Sequence, residues 1–425
     1  MLPPLGTRLR IPAIDRNGRM ILAAKAARAF GFGLNAVGLG LYLEELDLPA
    51  DQVGVVFAAA LAGTMLLTLL IATRGDRIGR RRLLVAGSLL MVLAVLIPAV
   101  GAAPAALALI GLSGMVAVTS NESTGLHSVD QAILPQTVAD GDRTSAFALY
   151  SVVAFGATAL GAVAVGPVVA VGEAAGLAGP DRYAMAFALY AITGLASAAF
   201  SSRLDAGAEV GDRIERGFAI RRSRRTVAGL STLFAIDSFA GGLVVQSFLA
   251  FWFASRFGLA PDTIGGLFFA GSLLGAASFP IAARLAGRFG LIRTMVFTHI
   301  PSSVFLIGMA LLPAEAFPAV TLLFLGRALL SSMDVPTRQS YTMAVVDPAE
   351  RTATAGVTSL ARSASQTVAP LVAGSVLVPL GLGAPLIACG ILKIGYDLLL
   401  FAAFRARPAP GERVAVKPSA GDVAE

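Results

Sequence analysis

The amino-acid sequence predicts an all-α integral membrane protein with twelve transmembrane helices arranged as two related six-helix bundles. Three features carry this expectation. Of the 425 residues, 56% are hydrophobic and only 14% charged, against about 25% charged in soluble domains. The apolar residues fall into twelve blocks of roughly 20, the length that a rise of ~1.5 Å per residue needs to cross a ~30 Å hydrocarbon core. Positive side chains gather in alternate connections between blocks.

The blocks run over 21–43, 52–73, 83–101, 105–130, 145–171, 182–201, 227–254, 263–283, 294–312, 317–338, 353–378 and 384–404. They divide the chain into a short N-terminal segment (1–20), an N-terminal bundle (21–201), a polar, Arg-rich linker (202–226), a C-terminal bundle (227–404) and a Pro-containing tail (405–425) expected to be dispensable. Arg8, Arg10, Arg16 and Arg19 precede the first block. Arg74, Arg77, Arg80, Arg81 and Arg82 fill the 2/3 loop, and Arg203, Arg213, Arg216, Arg221, Arg222, Arg224 and Arg225 the linker. The six alternate loops hold only Arg182 and Arg256. Positive residues stay cytoplasmic, so both termini are expected there, in a bacterial inner membrane. The net charge of +7 is thus topological and gives no reason to expect nucleic-acid binding. Residues 1–20 lack the short apolar core of a cleaved leader.

Cys389 stands alone, and His127 and His299 have no partners at ligand spacing, so neither a disulfide nor a metal site is expected. No cofactor is implied. The only lysines, Lys25, Lys393 and Lys417, lie outside any Gly-rich phosphate loop, which argues against a nucleotide-driven pump.

The two halves repeat. Asp51-Gln52-Val53-Gly54 matches Asp262-Thr263-Ile264-Gly265 at an offset of 211, which also carries Arg77, Gly79 and Arg82 onto Arg288, Gly290 and Arg293. At 208, Gln131 falls on Gln339 and Asp142-Arg143-Thr144 on Glu350-Arg351-Thr352; at 209, Phe30, Gly33 and Leu34 fall on Phe239, Gly242 and Leu243. Six crossings return the chain to its starting side, so the axis relating the halves runs along the membrane normal.

In this repeat and in its 2/3 loop the sequence resembles the major facilitator superfamily over roughly residues 20–404. The loop Gly75-Asp76-Arg77-Ile78-Gly79-Arg80-Arg81 is similar to the family's loop signature, with Ala72 in place of the leading glycine. The second copy has Gly287 where the acid would stand. The resemblance implies a cytoplasmic gate of Asp76, Arg77, Gly79 and Arg80, with Asp76 facing the N-terminal end of span 11 and Arg80 reaching Asp130. It also implies that spans 1, 4, 7 and 10 line a central cavity. Gly156, Gly161 and Gly166-Pro167 in span 5 resemble the signature of drug/proton antiporters, although Val168, Val169 and Ala170 replace the glycine pair that should follow, and span 4 lacks the usual Arg. Helix packing by small residues is the competing reading of these glycines.

An ionisable side chain at mid-membrane costs ~2.5–3.5 kcal/mol on insertion scales, so those retained mark candidate sites. Substrate or coupling candidates are Arg28 and Asn35 in span 1, Glu122 in span 4, Asp237 in span 7, Arg327 and Asp334 in span 10, and Arg362 and Gln366 in span 11. Arg28 and Asp237 are equivalent at an offset of 209. They would bridge the halves, either in one state of an access cycle or as a permanent pair. Lys25 reads as an interfacial anchor, and Lys393 with Asp397 as a local pair at four-residue spacing.

These expectations describe a monomeric secondary transporter for a small organic solute, amphiphilic or anionic, coupled to protons with Asp237 or Glu122 as the exchanging group, and working in efflux. The alternatives are proton-coupled uptake, an integral membrane enzyme, or a sensor without transport.

Overall fold

A computed structural model of the chain describes residues 13–119, 125–139, 142–209, 222–347 and 350–405, and among them all regular structure is helical. Among the described residues, eleven helices are long and apolar enough to cross a membrane. The remaining crossing, span 4, is broken. Large apolar side chains such as Leu109, Phe297 and Leu322 are exposed on the outside of the bundle, where lipid rather than water would cover them.

Span 1 is Arg16–Glu45, started by Asp15, whose carboxylate accepts a hydrogen bond from the Gly18 N–H. That cap places its start ahead of the apolar block. Spans 2 (Ala50–Ile78), 5 (Arg143–Ala174), 6 (Ala184–Ser202), 8 (Pro261–Phe289), 9 (Leu291–Leu311) and 12 (Ala384–Phe404) are single helices. Span 3 begins as Arg80–Leu90 and tightens into a 3₁₀ stretch, Met91–Leu96. Span 11, Arg351–Val372, loosens into a π turn, Ala373–Leu377.

Three crossings expected to be continuous are interrupted. Span 4 consists of Pro104–Gly111 and Gly125–Ile133, with turns around Gly114 between them. Span 7 is Arg224–Leu243 and Gln246–Phe257, with Val244 and Val245 outside helical geometry. Span 10 is Phe317–Ser331 and Asp334–Ala344. Hydropathy measures apolar length, whereas a break is set by where freed backbone groups find partners inside the protein.

The repeat is visible in the backbone. Gly79 (φ 94°) ends span 2 and opens span 3, and Gly290 (φ 89°) does the same between spans 8 and 9. Side chains with a Cβ avoid this region, so glycine is needed at both equivalent corners.

The halves meet most closely at one end, the end that carries the 1/2, 5/6, 7/8 and 11/12 connections. There Gly40 lies against the Ser247 carbonyl, Gly54 against that of Pro370, Gly166 against the Asp262 backbone, Gly265 against the Ala162 carbonyl and Gly374 against that of Ala50. A Cβ on any of the five would come closer than 3.0 Å to backbone of the opposite half. Ser247 ties the broken spans together: its N–H donates to the Val118 carbonyl (3.1 Å) and its hydroxyl to that of Ala36 (2.7 Å).

At the other end the linker binds each half separately. The Glu209 carboxylate accepts the N–H groups of Arg80 (2.7 Å) and Arg81 (3.2 Å), and Glu350 accepts those of Arg222 (2.8 Å) and Ser223 (2.9 Å). Asp205 accepts from the Asn17 amide (2.6 Å). That bond, helped by the Gly207 N–H, holds its carboxyl below the ordinary range.

Candidate functional site

A charged side chain inside a span is costly unless it is partnered, and in each half an ion pair joins the first and fourth crossings. In the N-terminal half Arg28 and Asp130, both fully buried, form an ion pair between spans 1 and 4. Arg28 also donates to the Ser197 hydroxyl of span 6 (3.1 Å), and the Tyr150 hydroxyl of span 5 donates to Asp130 (3.0 Å). Tyr150 in turn contacts His127 (3.0 Å), whose other ring nitrogen meets the Gln131 amide.

In the C-terminal half Asp237 of span 7 is surrounded by cations. Lys393 Nζ of span 12 stands at 2.6 Å, Arg338 of span 10 at 3.2 Å and Arg362 of span 11 at 3.6 Å. Arg338 is shared with Asp334, one turn earlier, at 2.6 Å. Behind them His299 Nδ1 faces Asp397 at 3.1 Å, while its Nε2 lies 3.3 Å from Lys393 Nζ. An ammonium only donates. The contact with Lys393 is a hydrogen bond only if Nε2 accepts, which leaves Nδ1–H to donate to Asp397.

The two clusters are related by the repeat with reversed polarity. The offset of 209 carries Arg28 onto Asp237, and 208 carries Asp130 onto Arg338. Each half thus closes its own pair between its first and fourth crossings. The expected bridge from Arg28 to Asp237 is not formed here, because both partners are consumed within their own bundles.

Other expectations need correction. Arg80 does not reach Asp130: that carboxylate is fully buried on Arg28, and the Arg80 guanidinium instead donates to the Ala208 carbonyl (3.3 Å). Lys25 is no interfacial anchor. It lies ~13 Å along span 1 from the helix start at ~1.5 Å per residue, is 3% exposed and stands 5.2 Å over the Tyr150 ring. Lys393 turns to Asp237 rather than to Asp397, since His299 takes the latter. Gly161 packs against the Phe30 carbonyl inside its own half and Gly166 against span 8, whereas a Cβ on Gly156 would meet nothing within 4 Å. Pro167 sits inside the span 5 helix. Gly79 supplies the corner after Arg77; the side chains of Asp76 and Glu122 lie outside what is described.

Between the halves is a cavity of about 260 Å³, reached by spans 4, 5, 7, 8 and 10. Phe155, Phe268 and Phe324 form apolar walls, and Arg327, Ser331 and Gln246 are among its polar lining. Thr119, in the interruption of span 4, also lines a smaller space of about 40 Å³ that includes Gln366 of span 11. Asn35 donates to the Ala117 carbonyl (2.9 Å) and so supports that interruption. Sequence reasoning did not single out Ser197, Tyr150, Ser247 or the coupling of His299 to Lys393. The equivalence of Asp130 with Arg338 was the one usable signal.

A family model described as Major Facilitator Superfamily matches residues 21–370. The Saccharomyces cerevisiae protein "Uncharacterized membrane protein YJR124C" is 24% identical over 431 residues, covering 93% of this chain and 96% of its own length. A bacterial homolog of the human lysosomal transporter Spinster, inward-facing and occupied, superposes with a TM-score of 0.70 at 13% identity, over 91% of this chain and 96% of that one. A bacterial homologue of the iron transporter ferroportin, in an inward-facing state, gives 0.68 at 16% identity over 91% and 98%. The human organic anion transporter MFSD10 gives 0.61 at 16% over 91% and 99%. At these identities the likeness to the solved structures is one of fold.

Proposed function

Because the chain belongs to the major facilitator superfamily, we propose that it is a secondary active transporter that moves a small organic solute out across the cytoplasmic membrane by alternating access, driven by protons. The observation that carries this reading is the uneven contact between the halves: five glycines press them together at one end, while a polar cavity lies between them at mid-depth. Rocking of two rigid repeats about a central site is how such folds expose it to either face. With both termini cytoplasmic, as the positive-inside bias favours, the closed end is extracytoplasmic and this arrangement is the inward-facing state. One chain supplies both halves, so a monomer suffices.

In the opposite state the loop of Asp76, Arg77, Gly79 and Arg80 closes on the start of span 11, whose positive dipole end favours the Asp76 carboxylate. Asp76→Asn is expected to abolish turnover while leaving expression intact. Unchanged transport by that variant would remove the gate from the account.

Protons couple through Asp237 or Glu122. Protonating Asp237 would release Lys393 and Arg338, which it holds at 2.6 Å and 3.2 Å, and so loosen the ties among spans 7, 10 and 12. The test is transport in proteoliposomes with an imposed pH gradient, read beside counterflow of labelled solutes at equal pH. Asp237→Asn, confirmed folded by its elution and melting, is expected to lose gradient-driven movement at least ~tenfold, the effect of ~1.4 kcal/mol, and to keep counterflow. Driven transport at the wild-type rate would rule out coupling through Asp237, and absence of counterflow for every solute tried would rule out a carrier.

A further inference from the structure

We infer that the transported solute is an organic anion whose acid group docks on Arg327; this rests on the transporter reading and names the substrate class of its central cavity. The mid-span charges of the C-terminal half do not balance. The cations are Arg327, Arg338, Arg362 and Lys393, and the carboxylates are Asp237, Asp334 and Asp397. Asp397 is engaged by His299, while Asp237 and Asp334 are divided among Lys393, Arg338 and Arg362. Among the described residues, Arg327 has neither an ion pair nor a hydrogen bond. It lines the cavity, half-buried in span 10. An uncompensated cation at this depth is costly and marks a functional position; a counter-charge carried in by the solute would offset it.

Two further observations agree on the sign and on the rest of the molecule. The second part of span 7 begins at Gln246, and Val245 and Gln246 both line the cavity. The positive end of that half-helix therefore opens on the same cavity as Arg327, the arrangement by which interrupted spans favour anionic groups. The rings of Phe155, Phe268 and Phe324 line the same cavity and suit an apolar or aromatic body. Ser331, one turn from Arg327, adds a hydroxyl. At about 260 Å³ the space falls below the ~300–1,000 Å³ of drug-sized sites. The solute is a small amphiphilic acid.

The experiment uses purified full-length protein and a panel of one- and two-ring aromatic skeletons, each supplied as carboxylate, amide and amine, with binding measured calorimetrically. Ligands are expected to be confined to the carboxylates. Arg327→Gln should weaken them by about ten- to hundredfold, the range for a lost charge-assisted contact, and Arg327→Lys should recover part of the loss. Preference for amides or amines, no carboxylate ligand at all, or carboxylate affinity unchanged in Arg327→Gln would overturn the assignment. Repeating the titration in nanodiscs with and without phosphatidylglycerol separates a soluble acid from a lipid headgroup: competition by the lipid assigns the anion to the headgroup and overturns the soluble solute. Carboxylates that bind through Arg327 without counterflow would sink transport and leave the anion site standing. Counterflow of an amine indifferent to Arg327 would do the reverse.

Discussion

Replacing Gly374 with leucine is expected to open the end at which the two halves are pressed together and stop turnover, without unfolding the protein. The Gly374 Cα lies so close to the Ala50 carbonyl that any Cβ would fall within 3.0 Å of it. The obstacle is backbone from the opposite half, which cannot swing aside as a flexible side chain would. Overpacking of this kind costs about 1–3 kcal/mol, and here the cost falls on one state alone, because the contact exists only when that end is shut. A difference near 2.8 kcal/mol moves a two-state balance about a hundredfold. The readout is a cysteine at position 248, Phe248→Cys, labelled by a membrane-impermeant maleimide; Phe248 is 5% exposed, and the native Cys389 is buried. Labelling should be slow in the Gly374 background and fast with Gly374→Leu, with counterflow reduced at least ~tenfold. Gly161→Leu is the control. That glycine packs on the Phe30 carbonyl within one half, so its substitution should lower the melting temperature rather than redistribute states. Equal labelling of Phe248→Cys in both backgrounds would mean that the glycine contacts do not form a gate.

The sequence made the architecture legible because a membrane span is a local property: twenty apolar residues announce themselves without knowledge of their neighbours. Gly79 and Gly290 likewise mark equivalent corners, and their positive φ explains why both are glycine. What stayed hidden is set by contacts distant in the chain. The break in span 7 at Val244 and Val245 depends on Ser247 meeting Val118 and Ala36, and no hydropathy window contains those partners. Lys393 and Asp397 satisfy the four-residue rule for a helical pair, yet Asp237, 156 residues away from Lys393, is the partner taken. Local spacing supplies a few tenths of a kcal/mol, less than a buried carboxylate gains from a cation. Arg28 and Asp237 are equivalent in the sequence repeat but are not partners. Related positions in two halves need not touch, and here each is satisfied by its own fourth crossing.

That arrangement leads to the second large expectation. Arg28→Met or Asp130→Leu alone should destabilise the protein by about 3–5 kcal/mol, because each takes from a buried charge the counter-charge it is paired with. Both side chains are 0% exposed, so water cannot take over the lost role. The double variant, Arg28→Met with Asp130→Leu, should recover most of the loss, since well-packed apolar residues often replace a buried pair at little cost. A reversed pair, Arg28→Asp with Asp130→Arg, is the sharper experiment. The C-terminal half already runs that polarity at Asp237 and Arg338, 3.2 Å apart, so the backbone frame of a first and fourth crossing accepts it. Among the described neighbours, Ser197, which now accepts from Arg28, would face a carboxylate and can turn its hydroxyl to donate, whereas Tyr150, which now donates to Asp130, would face a cation. The swap should therefore melt between the single variants and wild type. Melting of purified protein in one detergent ranks all four. A double variant no more stable than the singles would mean that each residue is held by its other neighbours, and that the reversed symmetry of the two halves is a coincidence of spacing.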